Sequence, residues 1–274
     1  MDQSKSLSRT SSLLKAAGSS ILLLLFLYLL VAIIGFVYHT IGNFFYPGFD
    51  FQNSFFITGI ITIHSFFIAI FAGYILNKMN FHDVFPLKKV SFEFLFYLAI
   101  LSSGLVILLS DADNFIRDHV PIHDFFSDML ADLLNGKTFI ETAFLVGFVA
   151  PLTEELLFRG VIYRMLRNVS SMHISVLISA ALFSIFHVNP LQMTGAFVAG
   201  IVLAFILEKT GNILYPLFIH AFFNLFPLVI LRLTNLQIPG FTDLNKDTVT
   251  YQPLWFNLTG LALLVLGIYL SHRF

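Results

Sequence analysis

The sequence predicts an all-α fold, a polytopic integral membrane bundle of about eight transmembrane helices with both termini cytoplasmic. Three observations carry that reading. Of 274 residues, 57% are hydrophobic and only 11% charged, far from the roughly 25% charged residues of soluble domains, and the mean hydropathy is +0.86. Uncharged apolar runs long enough to cross a hydrocarbon core recur between short polar links. The basic residues are skewed: four of the 15 Lys and Arg (Arg117, Lys137, Arg232 and Lys246) fall on one set of alternating links, so the richer set is cytoplasmic by the positive-inside rule. A net charge of −1 gives a nucleic-acid partner no electrostatic footprint. The absence of cysteine removes disulfides, zinc-thiolate sites and a cysteine nucleophile.

Each element follows in order. Residues 1–20 are Ser-rich with Lys5, Arg9 and Lys15, which predicts a short, poorly ordered cytoplasmic tail. Residues 21–274 then form a single transmembrane domain. The first span, residues 21–38, holds 18 residues without a charge; it is too long for a cleaved signal's apolar region and no small-residue cleavage site follows, so it reads as a retained signal anchor. Gly42, Pro47 and Gly48 mark an outside turn. The second span is residues 55–76, followed by an inside link with Lys78, Lys88 and Lys89. The third, residues 92–109, leads into a long outside loop, residues 110–137, carrying Asp111, Asp113, Asp118, Asp124, Asp128 and Asp132. The fourth runs over residues 139–165, with Arg159, Arg164 and Arg167 at its cytoplasmic exit. The fifth is residues 173–188, and Asn189-Pro190 breaks the chain before the sixth, residues 191–207, which returns at Glu208 and Lys209. The seventh is residues 213–231, with Pro216 and Pro227 as expected kinks. A polar outside loop, residues 234–252, precedes the eighth, residues 254–270.

Within residues 151–225 these greasy helices carry Glu154, Glu155, Arg159, His187, His220 and Asn224. Ionisable groups near a bilayer centre cost about 2.5–3.5 kcal/mol each on insertion scales, so they face the bundle interior and default to a functional reading. Measured from the turn at residues 167–172, Glu154 and His187 both lie about 20 Å deep, and His220 lies about 17 Å beyond Lys209, at 1.5 Å per residue. Polar groups from three helices therefore meet near mid-membrane. Glu155 and Arg159 are four apart with the glutamate N-terminal, the favourable order for an ion pair. Glu154 is rotated about 100° from Glu155 and points elsewhere. Phe183 and His187, and His220 and Asn224, share the same four-residue spacing, so an aromatic ring packs beneath the first imidazole and the second presents its side chain with the carboxamide.

The motifs E-E-L-L-F-R at 154–159, F-S-I-F-H at 183–187 and H-A-F-F-N at 220–224, the last preceded by E-K-T-G-N-I at 208–213, resemble the three signatures of the CAAX prenyl protease and bacteriocin-processing (CPBP, or Abi) family of intramembrane endopeptidases. The resemblance implies an eight-helix bundle that hydrolyses a peptide bond in a membrane-associated peptide or protein. It makes Glu154 the catalytic glutamate, His187 its partner on the water, and His220 with Asn224 the oxyanion-stabilising groups. The chemistry agrees: amide hydrolysis needs a base for water and donors for the oxyanion, and a carboxylate, a carboxamide and an imidazole supply them. Glu155, Arg159 and Phe183 are the supporting residues. The alternative is a non-catalytic member of the same fold, such as a bacteriocin-immunity factor or a scaffold, because fold does not imply function. No signal for an endomembrane compartment is visible, so the expected location is a bacterial plasma membrane.

A metal is the competing chemistry. Glu154, His187 and His220 make a two-histidine, one-carboxylate set of the kind that holds catalytic zinc. Against zinc, an asparagine amide is a poor ligand, and with Glu154 spent as a ligand the remaining base would be Glu155, turned away and occupied by Arg159. The expectation is a hydrolase without a cofactor. His64 reads as a structural histidine, His119 and His123 as solvated surface, and Arg164 and Arg167 as cytoplasmic anchors.

Overall fold

The computed structural model describes residues 3–51, 54–121, 123, 125–126, 138–242 and 249–273. It is 81% helical, with no strand among the described residues, and six of its helices are long and apolar enough to cross a membrane. The protein is an all-α polytopic membrane bundle. Among the described residues, eight principal helices, α1 to α8, correspond to the eight expected spans, and a one-turn helix, Phe81–Val84, sits between the second and third.

Helix α1 is Gln3–Phe45, much longer than its expected span. The Ser-rich stretch is helical rather than a disordered tail, and no break marks residue 20. Ser12 and Ser20 return their hydroxyls to the carbonyls of Ser8 and Ala16, at 3.0 and 2.8 Å, so these serines satisfy themselves within the helix. Leu13, Ala16 and Ala17 pack against the main core. At 1.5 Å per residue the helix is about 65 Å long, roughly twice the hydrocarbon thickness. Its extra turns continue past the bilayer.

Helix α2 (Phe55–Leu76) starts at Ser54, whose hydroxyl accepts from Ile57 N. Helix α3 (Phe92–His119) runs ten residues past the expected end of the third span. The acidic stretch expected as loop is therefore partly helix. Two of its polar residues are tied down: Asp111 accepts from Gln252 N at 2.9 Å and from Asn257 Nδ2 at 2.8 Å, and Asn114 donates to Gly240 O at 2.7 Å. Of that loop, Asp124, Asp128, Asp132 and Lys137 lie outside the described residues, as does Lys246.

Helix α4 occupies residues 139–167 and opens on a capping box in which Thr138 and Glu141 satisfy each other. Two π-helical stretches, Leu145–Val149 and Leu156–Ile162, flank Ala150–Glu155. Helix α5 is Met172–Phe186, α6 is Pro190–Thr210, α7 is Leu214–Leu233 and α8 is Leu254–His272. Asn189 caps α6 by accepting from Leu191 N, with Pro190 at the first helical position. Gly211, at φ +57°, ends α6 in the left-handed conformation. Pro216 falls in the first turn of α7, where its missing N–H costs nothing, and Pro227 lies inside the helix.

The core sits where α1, α2, α4 and α5 meet. Leu27, Phe66, Leu157, Phe158, Val161, Ile162 and Phe183 are all buried there. Helix α8 lies against α3 at backbone contact: a Cβ on Gly104 would meet Leu264 N at 2.3 Å. Small residues at such crossings let membrane helices approach.

Candidate active site

The site begins with Pro151. A proline carries no N–H, so it cannot continue the hydrogen-bond ladder of α4. In the π stretch just before it, the Ala150 N–H goes to Leu145 O. By the i→i+5 pattern Val146 O would next receive the N–H of residue 151, which does not exist. Asn224 Nδ2 donates to that carbonyl at 2.7 Å. One amide hydrogen of the sequence-predicted oxyanion donor is thus spent on holding α7 against the interrupted turn of α4. Its second amide hydrogen and its carbonyl are not fixed by this bond.

One turn later the two glutamates diverge. Glu155 is fully buried, and its Oε1 lies 3.1 Å from Arg159 Nη1, also fully buried. The same oxygen accepts from His220 Nδ1 at 2.7 Å. Arg159 further donates from Nη2 to Gly200 O at 3.2 Å, and its guanidinium stacks 4.5 Å over the Phe183 ring. Glu155 therefore does more than the ion pair read from its spacing: it orients a site histidine. The sequence showed the first contact because helix geometry sets it, and missed the second because His220 arrives from another helix.

Glu154 has different surroundings. Its side chain is 13% exposed, against 0% for Glu155. Its Oε2 lies 3.8 Å from His220 Nε2, beyond direct hydrogen-bond reach, and has no hydrogen-bond partner among the described residues. Of the two carboxylates, Glu154 is the one with an approach to it.

His187 is the C-cap of α5 rather than an interior helical residue. Its Nδ1 lies 2.8 Å from Phe183 O. A carbonyl only accepts, so Nδ1 carries the proton and a neutral His187 presents a lone pair at Nε2. The Phe183 ring meets His187 edge-on at 4.8 Å and His220 at 5.5 Å. This one phenylalanine packs under both imidazoles and under Arg159.

Among the described residues, no three His, Asp or Glu side chains converge as a metal-ligand set. Other singled-out residues lie elsewhere. His64, on α2, bonds to Ile60 O at 2.9 Å, and the exposed His119 bonds to Phe115 O. Arg167 pairs with Glu208 at 3.0 Å, and Tyr163 donates to the same carboxylate at 2.7 Å.

Residues 136–226 match the family described as type II CAAX prenyl endopeptidase, Rce1-like. The match holds all three motifs and agrees with the resemblance drawn from them. It covers about a third of the chain, from just before α4 to partway along α7. No curated protein and no solved structure matches the chain.

Proposed function

We propose that the protein is a membrane-embedded endopeptidase that hydrolyses a peptide bond in a membrane-associated peptide or protein, with Glu154 as the base that activates water. The observation that carries this reading is the contrast between the two glutamates: Glu155 is fully buried with its Oε1 held by both Arg159 and His220, while Glu154, beside the same imidazole, is 13% exposed and holds neither partner within hydrogen-bond reach. A base in that position takes the proton of an attacking water. His187, protonated at Nδ1 by its bond to Phe183 O, offers Nε2 as the second group on that water.

The tetrahedral intermediate then needs donors. Asn224 retains one amide hydrogen after its bond to Val146 O. His220 donates from Nδ1 to Glu155 and, in its imidazolium form, from Nε2 as well. Preorganised donors of this kind are worth about 10²–10³ in rate each. Glu155, Arg159 and Phe183 hold the imidazole and carboxylate in register. The reaction so assembled requires no metal, and the zinc alternative would draw on Glu154, His187 and His220. We further place the protein in the plasma membrane of a bacterium.

The test is cleavage of a farnesylated peptide ending in a CAAX tetrapeptide by the full-length protein in liposomes, with peptidomics of cells carrying wild type or Glu154→Gln to find native substrates. Cleavage by wild type and none by Glu154→Gln supports the reading. Full activity of Glu154→Gln overturns the base assignment. Stoichiometric zinc, with activity lost to chelator and restored by zinc, decides for the metal alternative.

A further inference from the structure

Every backbone carbonyl at the end of α5 is matched to a different donor, and one of those donors comes from outside the matched region. Phe183 O receives His187 Nδ1, Ser184 O receives His187 N, Ile185 O receives Val188 N, and His187 O receives Asn189 N. Phe186 O receives the hydroxyl of Tyr28, which belongs to α1. The Tyr28 ring also packs on the Phe186 ring, with centroids 5.3 Å apart. Tyr28 thus reaches the His187 end of the candidate site from a helix that carries none of its motif residues.

The turn that Tyr28 meets is one that does not relax on its own. Val188, directly after His187, stands at φ +58°, a left-handed conformation that a β-branched residue rarely adopts and that persists only where its surroundings fix it. Asn189 anchors the far side, with Nδ2 on Phe126 O at 3.1 Å and Oδ1 on Leu191 N. Ser184 adds a hydroxyl bond to Met193 O at 2.7 Å. On the α1 side, the bond that fixes the turn is the one from Tyr28. Lipid offers no replacement donor, so a carbonyl released there stays unpaired.

We propose that Tyr28 is a positioning residue for His187: its hydroxyl closes the last open carbonyl of α5 and so fixes the turn that aims the imidazole. The proposal rests on the reading of His187 as a partner of the catalytic water, but its structural half stands without it. Substrate contact is no part of the role.

The experiment compares wild type with Tyr28→Phe, full-length, in lipid nanodiscs with ring-labelled histidine. In wild type the His187 nitrogens report a proton on Nδ1. In Tyr28→Phe they shift toward a mixture of tautomers while those of His220 stay in place. With the farnesylated CAAX peptide, kcat falls about tenfold, as for one lost net hydrogen bond, and KM is unchanged. Unchanged His187 resonances overturn the proposal whatever the activity. His187 and His220 moving together, or kcat and KM changing together, also overturn it, because they mark general loosening of the bundle. If Tyr28→Phe yields no folded protein, 3-fluorotyrosine at position 28, a stronger donor of nearly the same size, is read instead: a His187 response without a His220 response supports the role, and none removes it. A wild type that cleaves nothing counts against the proposed function alone, since the histidine resonances still decide the role of Tyr28.

Discussion

Helices α1 and α8 turn many large apolar side chains outward, whereas α4, α5 and α7 bury polar ones. Leu22, Phe36 and Leu254 are 67%, 70% and 74% exposed, while Glu155 and Arg159 are fully buried. In water the first pattern would be a liability, and in lipid it is the solvated state. The second pattern is costly in either solvent unless each group finds its partner, because breaking a buried pair by removing one member costs about 3–5 kcal/mol. The rim is therefore tolerant and the inner helices are not, and substitutions at the two places should differ in kind as well as in size.

The largest effect should come from Glu154→Gln, which keeps volume and removes the base: turnover falls by about 10²–10⁴, the usual contribution of a positioned acid or base, with Tm unchanged. Steady-state cleavage and thermal melting of the same preparation check both halves. Asn224→Ala comes next, with a loss of about 10²–10³ in kcat as for one oxyanion donor. It also frees Val146 O, so Tm drops as well; normal turnover would move the oxyanion donor elsewhere.

Glu155→Gln strips the charge that faces Arg159 and His220 and should lower stability by about 3–5 kcal/mol, the scale for an orphaned buried charge. Gly104→Ala drives a methyl into the backbone of Leu264 and should cost about 1–3 kcal/mol as overpacking, without a change in kcat per folded molecule. Leu258→Ala, on the lipid face of α8 and 55% exposed, should stay within about 0.5 kcal/mol, as surface substitutions do. A large loss there would mean that the outer face packs against a partner.

The same contrast explains what could be read from the sequence. The spans were legible because a bilayer demands long apolar runs, and the Glu155–Arg159 pair because a four-residue spacing on one helix fixes it. The third span was read too short, since aspartates signal loop in a sequence while Asp111 and Asn114 in fact bond to Gln252, Asn257 and the loop at Gly240. The serines of α1 misled in the same direction. The π stretches were harder, although Pro151 between glutamates and an apolar run was the available signal. Contacts between distant segments, His220 to Glu155, Asn224 to Val146 and Tyr28 to Phe186, have no local periodicity and appear only when the helices are packed.

The central claim is that two adjacent glutamates have separate tasks, one chemical and one supporting. The most direct test measures kcat and Tm side by side for Glu154→Gln and Glu155→Gln in the reconstituted full-length protein. The account predicts that the first loses turnover at unchanged Tm and that the second loses Tm. A Glu155→Gln protein with wild-type melting and no turnover, beside an active Glu154→Gln, would contradict it and exchange the two roles.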